Sequence, residues 1–114
     1  MTGEAALTSP FCLVTTTCET EASARSLATI LLTAHLAACV QIMPVRSLYS
    51  WQGELRDEAE ALLLIKAKSA DWPALEAAIR AAHSYEVPEI LAFEIAAGHA
   101  PYLAWIAEST APRG

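Results

Sequence analysis

The sequence predicts an α+β domain built on an antiparallel sheet, and three observations lead to this. The apolar, β-branched run from Phe11 to Thr17 is typical of a buried strand, and a stretch with helical spacing of apolar residues follows it. A long extended segment from Cys39 then meets an alternating one through Gln52 and Gly53, which indicates a β-hairpin. A second helix and a last apolar strand come next. The order strand, helix, strand, strand, helix, strand, plus a C-terminal helix, is that of the ferredoxin-like βαββαβ fold.

The first helix is predicted to begin after a threonine cap and to run to about His35. Thr17 or Thr20 can accept hydrogen bonds from the free N–H groups of the first turn. Glu19 and Glu21 lie near the positive end of the helix dipole, where carboxylates are favourable. Residues at helical spacing are expected to form one buried stripe: Ala24, Leu27, Ala28, Leu31 and Ala34.

The two hairpin strands are predicted to pair with a constant sum of residue numbers. If Trp51 pairs with Glu54, three further pairs follow: Tyr49 with Arg56, Ser47 with Glu58, and Cys39 with Lys66. On the returning strand, alternation places Leu55, Ala59 and the odd-numbered residues up to Ala67 on the core face. Pro44 has no N–H to donate, so the first hairpin strand is predicted to lie at a sheet edge or to carry a bulge.

The hairpin is longer than the domain that carries it. Thirteen residues of strand reach roughly 40 Å, whereas a compact chain of this size has a radius of gyration of about 13 Å. Either a bulge near Pro44 folds the hairpin back, or its tip, with Tyr49 and Trp51, lies on another subunit. These three residues are the predicted oligomer interface, and stacking of the two aromatic rings on a ligand is the alternative.

The second helix is predicted to begin near Ser69 or Asp71, to accept Pro73 in its first turn and to end around His83. Its apolar residues are expected to be buried: Trp72, Leu75, Ile79 and Ala82. Residues 89–95 are the predicted last strand, and a terminal helix begins at Pro101.

Composition limits the domain count and the classes of partner. Residues 1–9 are predicted to be disordered, residues 10–110 to form a single domain and residues 111–114 to be a tail. A net charge of −6, with seven scattered Lys and Arg residues, argues against nucleic acid. No apolar run reaches the roughly 20 residues of a membrane span, and no signal-peptide pattern is present at the N-terminus. The lack of a membrane span and of a signal-peptide pattern predicts a cytoplasmic protein, and the three cysteines, which form no C-x-x-C motif, are expected to be reduced thiols.

Four segments, taken in order, resemble the CutA divalent-cation-tolerance family: "HLAACVQIMPVRSLYSWQGEL" at 35–55, "ALLLIKAKS" at 61–69, "HSYEVPEI" at 83–90 and "YLAWI" at 102–106. The resemblance spans roughly residues 11 to 107. It implies a ferredoxin-like protomer, related in fold to the PII nitrogen-regulatory proteins. It also implies a homotrimer assembled through the edge strands of the long hairpins.

The resemblance further implies a link to tolerance of copper and other divalent metals. Copper-binding members use a strand cysteine and two consecutive histidines, which fall here on Thr16, His83 and Ser84. One imidazole cannot hold copper or zinc selectively, so any metal binding is expected to be weak or indirect. His83 is the first metal candidate and Cys39 the second. The alternatives are a helix-end role for His83, bonded to free carbonyl groups, and a packing role for Cys39.

A cleft between subunits is the other predicted site. Glu89 begins the last strand and is expected to face a neighbouring hairpin, giving a cleft with these residues: Trp51, Glu58, Lys66, Tyr85 and Glu89. Aromatic rings, carboxylates and a lysine can hold a small molecule, and the same groups can form an interfacial salt-bridge network instead. Pro88 sets the extended conformation of Val87 and marks a hinge.

The sequence contains no recognisable catalytic constellation, so we do not expect an enzyme. Cys18 lies near a helix N-terminus, where the pKa of a thiol can fall, and is expected to be the most reactive cysteine. The functions left open are a role in divalent-metal tolerance, a PII-like sensor of a small molecule, and a scaffold for another protein.

Overall fold

The structure, a computed structural model, describes residues 7–112 and confirms the predicted α+β order. Its elements are β1 (Phe11–Cys18), α1 (Glu21–Thr33), β2 (Cys39–Trp51), β3 (Glu54–Lys68), α2 (Trp72–Ala82), β4 (Ile90–Glu94) and α3 (Ala100–Ser109). All strand pairs are antiparallel, in the order β2-β3-β1-β4. Of the segments predicted to be disordered or a tail, residues 1–6 and 113–114 lie outside the described part. Among the described residues, no helix is both long and apolar enough to span a membrane.

The core lies between one face of the sheet and the helices α1 and α2. Alternate residues of β3, from Ala61 to Ala67, meet the buried stripes of both helices. Thr20 caps α1 through a capping box with Ser23, because each side chain accepts a hydrogen bond from the other residue's backbone N–H. The helix stripes end earlier than predicted, since Ala34, the C-cap of α1, and Ala82, the last residue of α2, are exposed.

The predicted hairpin register is confirmed. Pairing runs without a break from Cys39 with Lys66 to Trp51 with Glu54. Pro44 pairs in sequence with Ala61, so no bulge interrupts the hairpin there, and β2 is an edge strand as a proline requires. The connecting turn has φ of +51° at Gln52 and +81° at Gly53, the two positive values of a type I′ turn.

The outer half of the hairpin extends beyond the sheet. Strand β1 pairs with β3 only from Ala61 to Lys68. Residues 45–51 and 54–60 therefore form a ribbon of two strands, which we call the arm. The prediction that Leu55 and Ala59 face the core is wrong: both are exposed, and the Leu55 side chain is 78% exposed. By alternation Leu55 lies on the core side of β3, but α1 and α2 do not extend over this part of the strand.

The second face of the sheet is only partly covered, by α3. Lys68 Nζ donates to the carbonyl of Thr110 at 3.2 Å, and Lys66 Nζ lies 5.7 Å from the centroid of the Tyr102 ring. Ile106 is the fully buried residue of α3. Large apolar side chains are exposed on this face and on the helix: Met43, Leu91, Phe93, Tyr102 and Trp105.

A candidate ligand cleft beside the arm

A cleft lies between the arm and the loop that connects α2 to β4, residues 83–89. Its volume is about 800 Å³, within the range of organic-ligand sites. Three aromatic side chains line it, Tyr49 and Trp51 from the arm and Tyr85 from the loop. The hairpin and the loop of one chain therefore meet directly.

His83 attaches this loop to the end of β1. Its Nδ1 accepts a hydrogen bond from the backbone N–H of Tyr85 at 3.1 Å, and its Nε2 lies 2.6 Å from the carbonyl oxygen of Thr17. Because Nδ1 is the acceptor of one hydrogen bond, Nε2 is the ring nitrogen that donates to the Thr17 carbonyl. We expected His83 to bind a free carbonyl group at the end of α2. The carbonyl group that it binds belongs instead to β1. Both ring nitrogens are therefore engaged with the backbone.

Tyr85 joins the loop to the arm. Its hydroxyl donates to Glu60 Oε2 at 2.6 Å, between residues 25 positions apart in the chain. Burial of the ring raises the pKa of Tyr85, and the hydrogen bond to Glu60 and the charge of that carboxylate raise it further. The hydroxyl therefore stays protonated and keeps donating at neutral pH.

The charged residues of the cleft differ in how well they are paired. Arg46 Nη1 lies 2.7 Å from Asp57 Oδ1, whereas Arg56 Nη1 is 3.9 Å from its carboxylate, Glu58. Glu58 also accepts a short hydrogen bond from the Tyr49 hydroxyl. On the loop side, Glu86 and Glu89 line the cleft, and neither makes a side-chain hydrogen bond or ion pair within residues 7–112.

The structure brings together some of the predicted cleft residues and separates others. Trp51, Tyr85 and Glu89 line the cleft, and Glu58 contacts it through Tyr49. Lys66 lies elsewhere and donates to Gln41 Oε1 at 2.8 Å. The register explains this, because Lys66 is twelve residues from the turn end of β3, or roughly 40 Å along a strand. Sequence reasoning missed Arg46 and Glu60, although the alternation already places Glu60 on the same strand face as Arg56.

The residues at the metal-ligand positions of the family do not form a donor cluster. Thr16 is fully buried and its hydroxyl has no hydrogen-bond partner among the described residues. Ser84 is exposed, and Cys39 is half-buried at the start of β2, opposite Lys66. Between residues 7 and 112, no three His, Cys, Asp or Glu side chains lie close enough to hold a metal ion. The side chains present do not fit a preformed copper or zinc centre.

The expectation for Cys18 is wrong in direction. Burial raises the pKa of this thiol, which is 5% exposed, and outweighs the lowering effect of its hydrogen bond to Ser23. The side chain points into the core at the end of β1, so proximity to the N-terminus of α1 does not activate it.

Fold and site together define a class: a ferredoxin-like α+β protein with a long hairpin arm and a cleft between that arm and the α2–β4 loop. The model of the CutA1 divalent ion tolerance protein family matches residues 12–109. The chain belongs to this family.

Individual relatives agree with this assignment. The divalent-cation tolerance protein CutA of Thermus thermophilus is 43% identical over 99 residues, which cover 86% of this chain and 96% of that protein. The crystal structure of CutA1 from Shewanella sp. SIB1 matches with a TM-score of 0.86 at 40% identity, over 89% of this chain and 95% of the other. The CutA homolog of Danio rerio is longer: 98 residues are 43% identical, covering 85% of this chain but 65% of that protein.

Proposed function

We propose that this protein serves divalent-cation tolerance as a self-assembling, non-catalytic protein whose own metal binding is weak or indirect. Membership of the CutA1 family supports the tolerance role. Weak or indirect metal binding is supported by the hydrogen bonds of His83, because both of its ring nitrogens are bound to backbone groups. A metal would have to displace at least one of these hydrogen bonds and find further donors.

Self-assembly as a homotrimer is part of this proposal. The arm exposes Leu48 (63%) and Leu55 (78%), and the second sheet face exposes Leu91 and Phe93 at about half their area. Such apolar surface is costly on an isolated chain and is typical of an interface. We place Pro44, Tyr49 and Trp51 in the contact, because they lie on the edge strand of the hairpin.

Binding of a small molecule in the cleft is a second candidate function. The volume of about 800 Å³ and the aromatic lining favour it. The competing interpretation, that these residues form only a salt-bridge network, accounts for Arg46 and Asp57 but leaves Glu86 and Glu89 without partners within the described part of the chain.

A reducing compartment such as the cytoplasm fits the three unpaired cysteines. Relatives differ in this respect: a CutA of Arabidopsis thaliana is named as chloroplastic, and that of Archaeoglobus fulgidus as periplasmic.

Calorimetric titration of the reduced, untagged protein with Cu(II), Cu(I) and Zn(II) tests the proposal. We expect no tight, saturable site, and we expect that His83→Ala removes any weak binding while Cys39→Ser changes it little. Loss of binding in Cys39→Ser alone would move the site to the thiol. Tight binding near one metal per chain would contradict a weak or indirect role.

A further inference from the structure

Among residues 7–112, a single side-chain hydrogen bond connects the arm to the rest of the domain: the Tyr85 hydroxyl donates to Glu60 Oε2 at 2.6 Å. The other side-chain hydrogen bonds that arm residues make there join the two strands of the arm to each other. Glu60 is the last residue of the arm before Ala61, where the pairing of β3 with β1 begins. The loop therefore binds the arm at its base, the point about which an unsupported ribbon would bend.

The loop that supplies this bond is itself fixed to the sheet. The ring of His83 binds the carbonyl of Thr17 at the end of β1 and accepts the backbone N–H of Tyr85. The rings of His83 and Tyr85 also pack together, with their centroids 4.7 Å apart. A continuous set of contacts thus runs from β1 through His83 and Tyr85 to the arm, and the hydroxyl that holds the arm is in a fixed position.

The arm is held on one face and carries its exposed leucines on the other. Residues directly opposite each other in an antiparallel ribbon share a face, and neighbours along each strand alternate between the two faces. By the observed pairing, Glu60 lies on one face, and Leu48 and Leu55 lie on the opposite one. The hydrogen bond from Tyr85 therefore fixes the direction of the arm without covering these two leucines.

We infer that Tyr85 is a positioning residue for self-assembly: through Glu60 it holds the arm in the direction in which Leu48 and Leu55 meet another copy of this chain. The inference rests on the proposed self-assembly and adds the intrachain contact that sets its strength. A two-stranded ribbon without this contact samples many directions, and the cost of ordering it is added to each association. The affinity then falls with the fraction of chains whose arm has the competent direction.

Tyr85→Phe tests the inference, because it removes the hydroxyl and keeps the ring beside His83. Native mass spectrometry over a dilution series gives the concentration at which half of the chains are assembled. This concentration is expected to rise about tenfold, the equivalent of one hydrogen bond to a charged group. A Tyr85→Phe protein that is folded by circular dichroism and assembles as tightly as the wild type would overturn the inference.

Tyr102→Phe is the matched control. Tyr102 is 40% exposed on α3, and no described residue binds its hydroxyl, so the substitution is expected to leave the assembly concentration unchanged. Equal weakening by Tyr85→Phe and Tyr102→Phe would mean that the bond to Glu60 has no special role, and it would overturn the inference.

Substitution of Glu60 breaks the same bond from its other end. Glu60→Ala removes the acceptor and is expected to raise the assembly concentration about tenfold as well. The double variant Tyr85→Phe/Glu60→Ala is expected to show about the same tenfold rise, because both substitutions remove one interaction. A rise of about a hundredfold, the product of two independent effects, would show that the two residues act separately and would overturn the inference.

Amide exchange distinguishes a positioning role from a general loss of stability. In Tyr85→Phe, exchange is expected to accelerate in the arm and to stay unchanged in residues 61–68, which β1 supports. Equal acceleration throughout the sheet would overturn the inference and leave Tyr85 a general structural role. A wild type with the mass of one chain would contradict the proposed self-assembly itself, whereas a trimeric wild type with an unaffected Tyr85→Phe variant would contradict the positioning role alone.

Discussion

Thr16 and Thr110 are both buried threonines, but only one of their hydroxyl groups is satisfied. Thr110 Oγ1 donates to the carbonyl of Ile106 at 2.8 Å, whereas Thr16 Oγ1 has no partner among the described residues. An unpaired buried hydroxyl costs free energy, and replacing it by a methyl group of the same shape removes that cost.

Thr16→Val is therefore expected to leave the free energy of unfolding unchanged or to raise it by up to about 1 kcal/mol. Thr110→Val, the matched control, is expected to lower it by about 1 kcal/mol because a real hydrogen bond is lost. Urea unfolding of both variants measures this. Equal destabilisation by the two substitutions would mean that Thr16 has a hydrogen bond of its own.

Glu94 holds the chain that precedes β1. Its carboxylate accepts hydrogen bonds from the backbone N–H groups of Thr8 and Ser9 and from the Thr8 hydroxyl. The Ser9 N–H is the largest of the causes that lower the pKa of Glu94 below its ordinary value of 4.5. A lowered folded-state pKa means that this stabilisation is present above pH 4.5 and is lost as the pH falls through the lower, folded-state value.

Acid is accordingly expected to release residues 8 and 9 before the sheet unfolds. The protection factors of the Thr8 and Ser9 amides, which compare each observed exchange rate by NMR with the intrinsic rate at the same pH, should fall in the wild type as the pH is lowered from 6. In Glu94→Gln this pH-dependent loss of protection should be absent, because the side chain no longer titrates. The same loss of protection in both proteins would contradict the role given to Glu94.

At the scale of elements, the turn of the hairpin is the most readily tested feature. A Cβ atom added at Gly53 would meet nothing within 4 Å, so its positive φ is the only obstacle to a side chain. Gly53→Ala is expected to cost about 1 kcal/mol through the backbone alone. Gln52→Asn is expected to gain a few tenths of a kcal/mol, since Asn tolerates positive φ better.

Denaturant unfolding of the two turn variants measures these changes, and amide exchange along the arm locates them. An Ala variant as stable as the wild type would mean that the turn has changed its type. A destabilising Asn variant would show that the Gln52 side chain makes a contact of its own.

Alternation and helical spacing were enough to predict most elements and the full hairpin register. These patterns do not show where the helices stop covering the sheet. Leu55 fits the alternation of the strand, and Ala34 and Ala82 fit the spacing of the helices, but all three are exposed. The contact that forms the cleft within one chain could not be predicted for a related reason. The bond from Tyr85 to Glu60 joins an irregular loop to a strand 25 positions away, and periodicity describes neither loops nor such distant contacts.

At the scale of the whole molecule, the arm decides the shape. The radius of gyration is 14.7 Å, against about 13 Å for a compact chain of this length, and the longest extent is 45 Å. The unbroken pairing through Pro44 leaves the arm extended, with Leu48 and Leu55 exposed. Contact with other copies of the chain is the proposed way in which this surface is covered.

Native mass spectrometry over a dilution series is the most direct test of this account. The wild type is expected at three times the 12.2 kDa of one chain. The Leu48→Ser/Leu55→Ser variant should dissociate at concentrations where Ile30→Ser, which changes an equally apolar residue 47% exposed on α1, stays assembled. A wild type with the mass of a single chain would contradict self-assembly, and an arm variant as stable a trimer as the control would contradict the role of the arm.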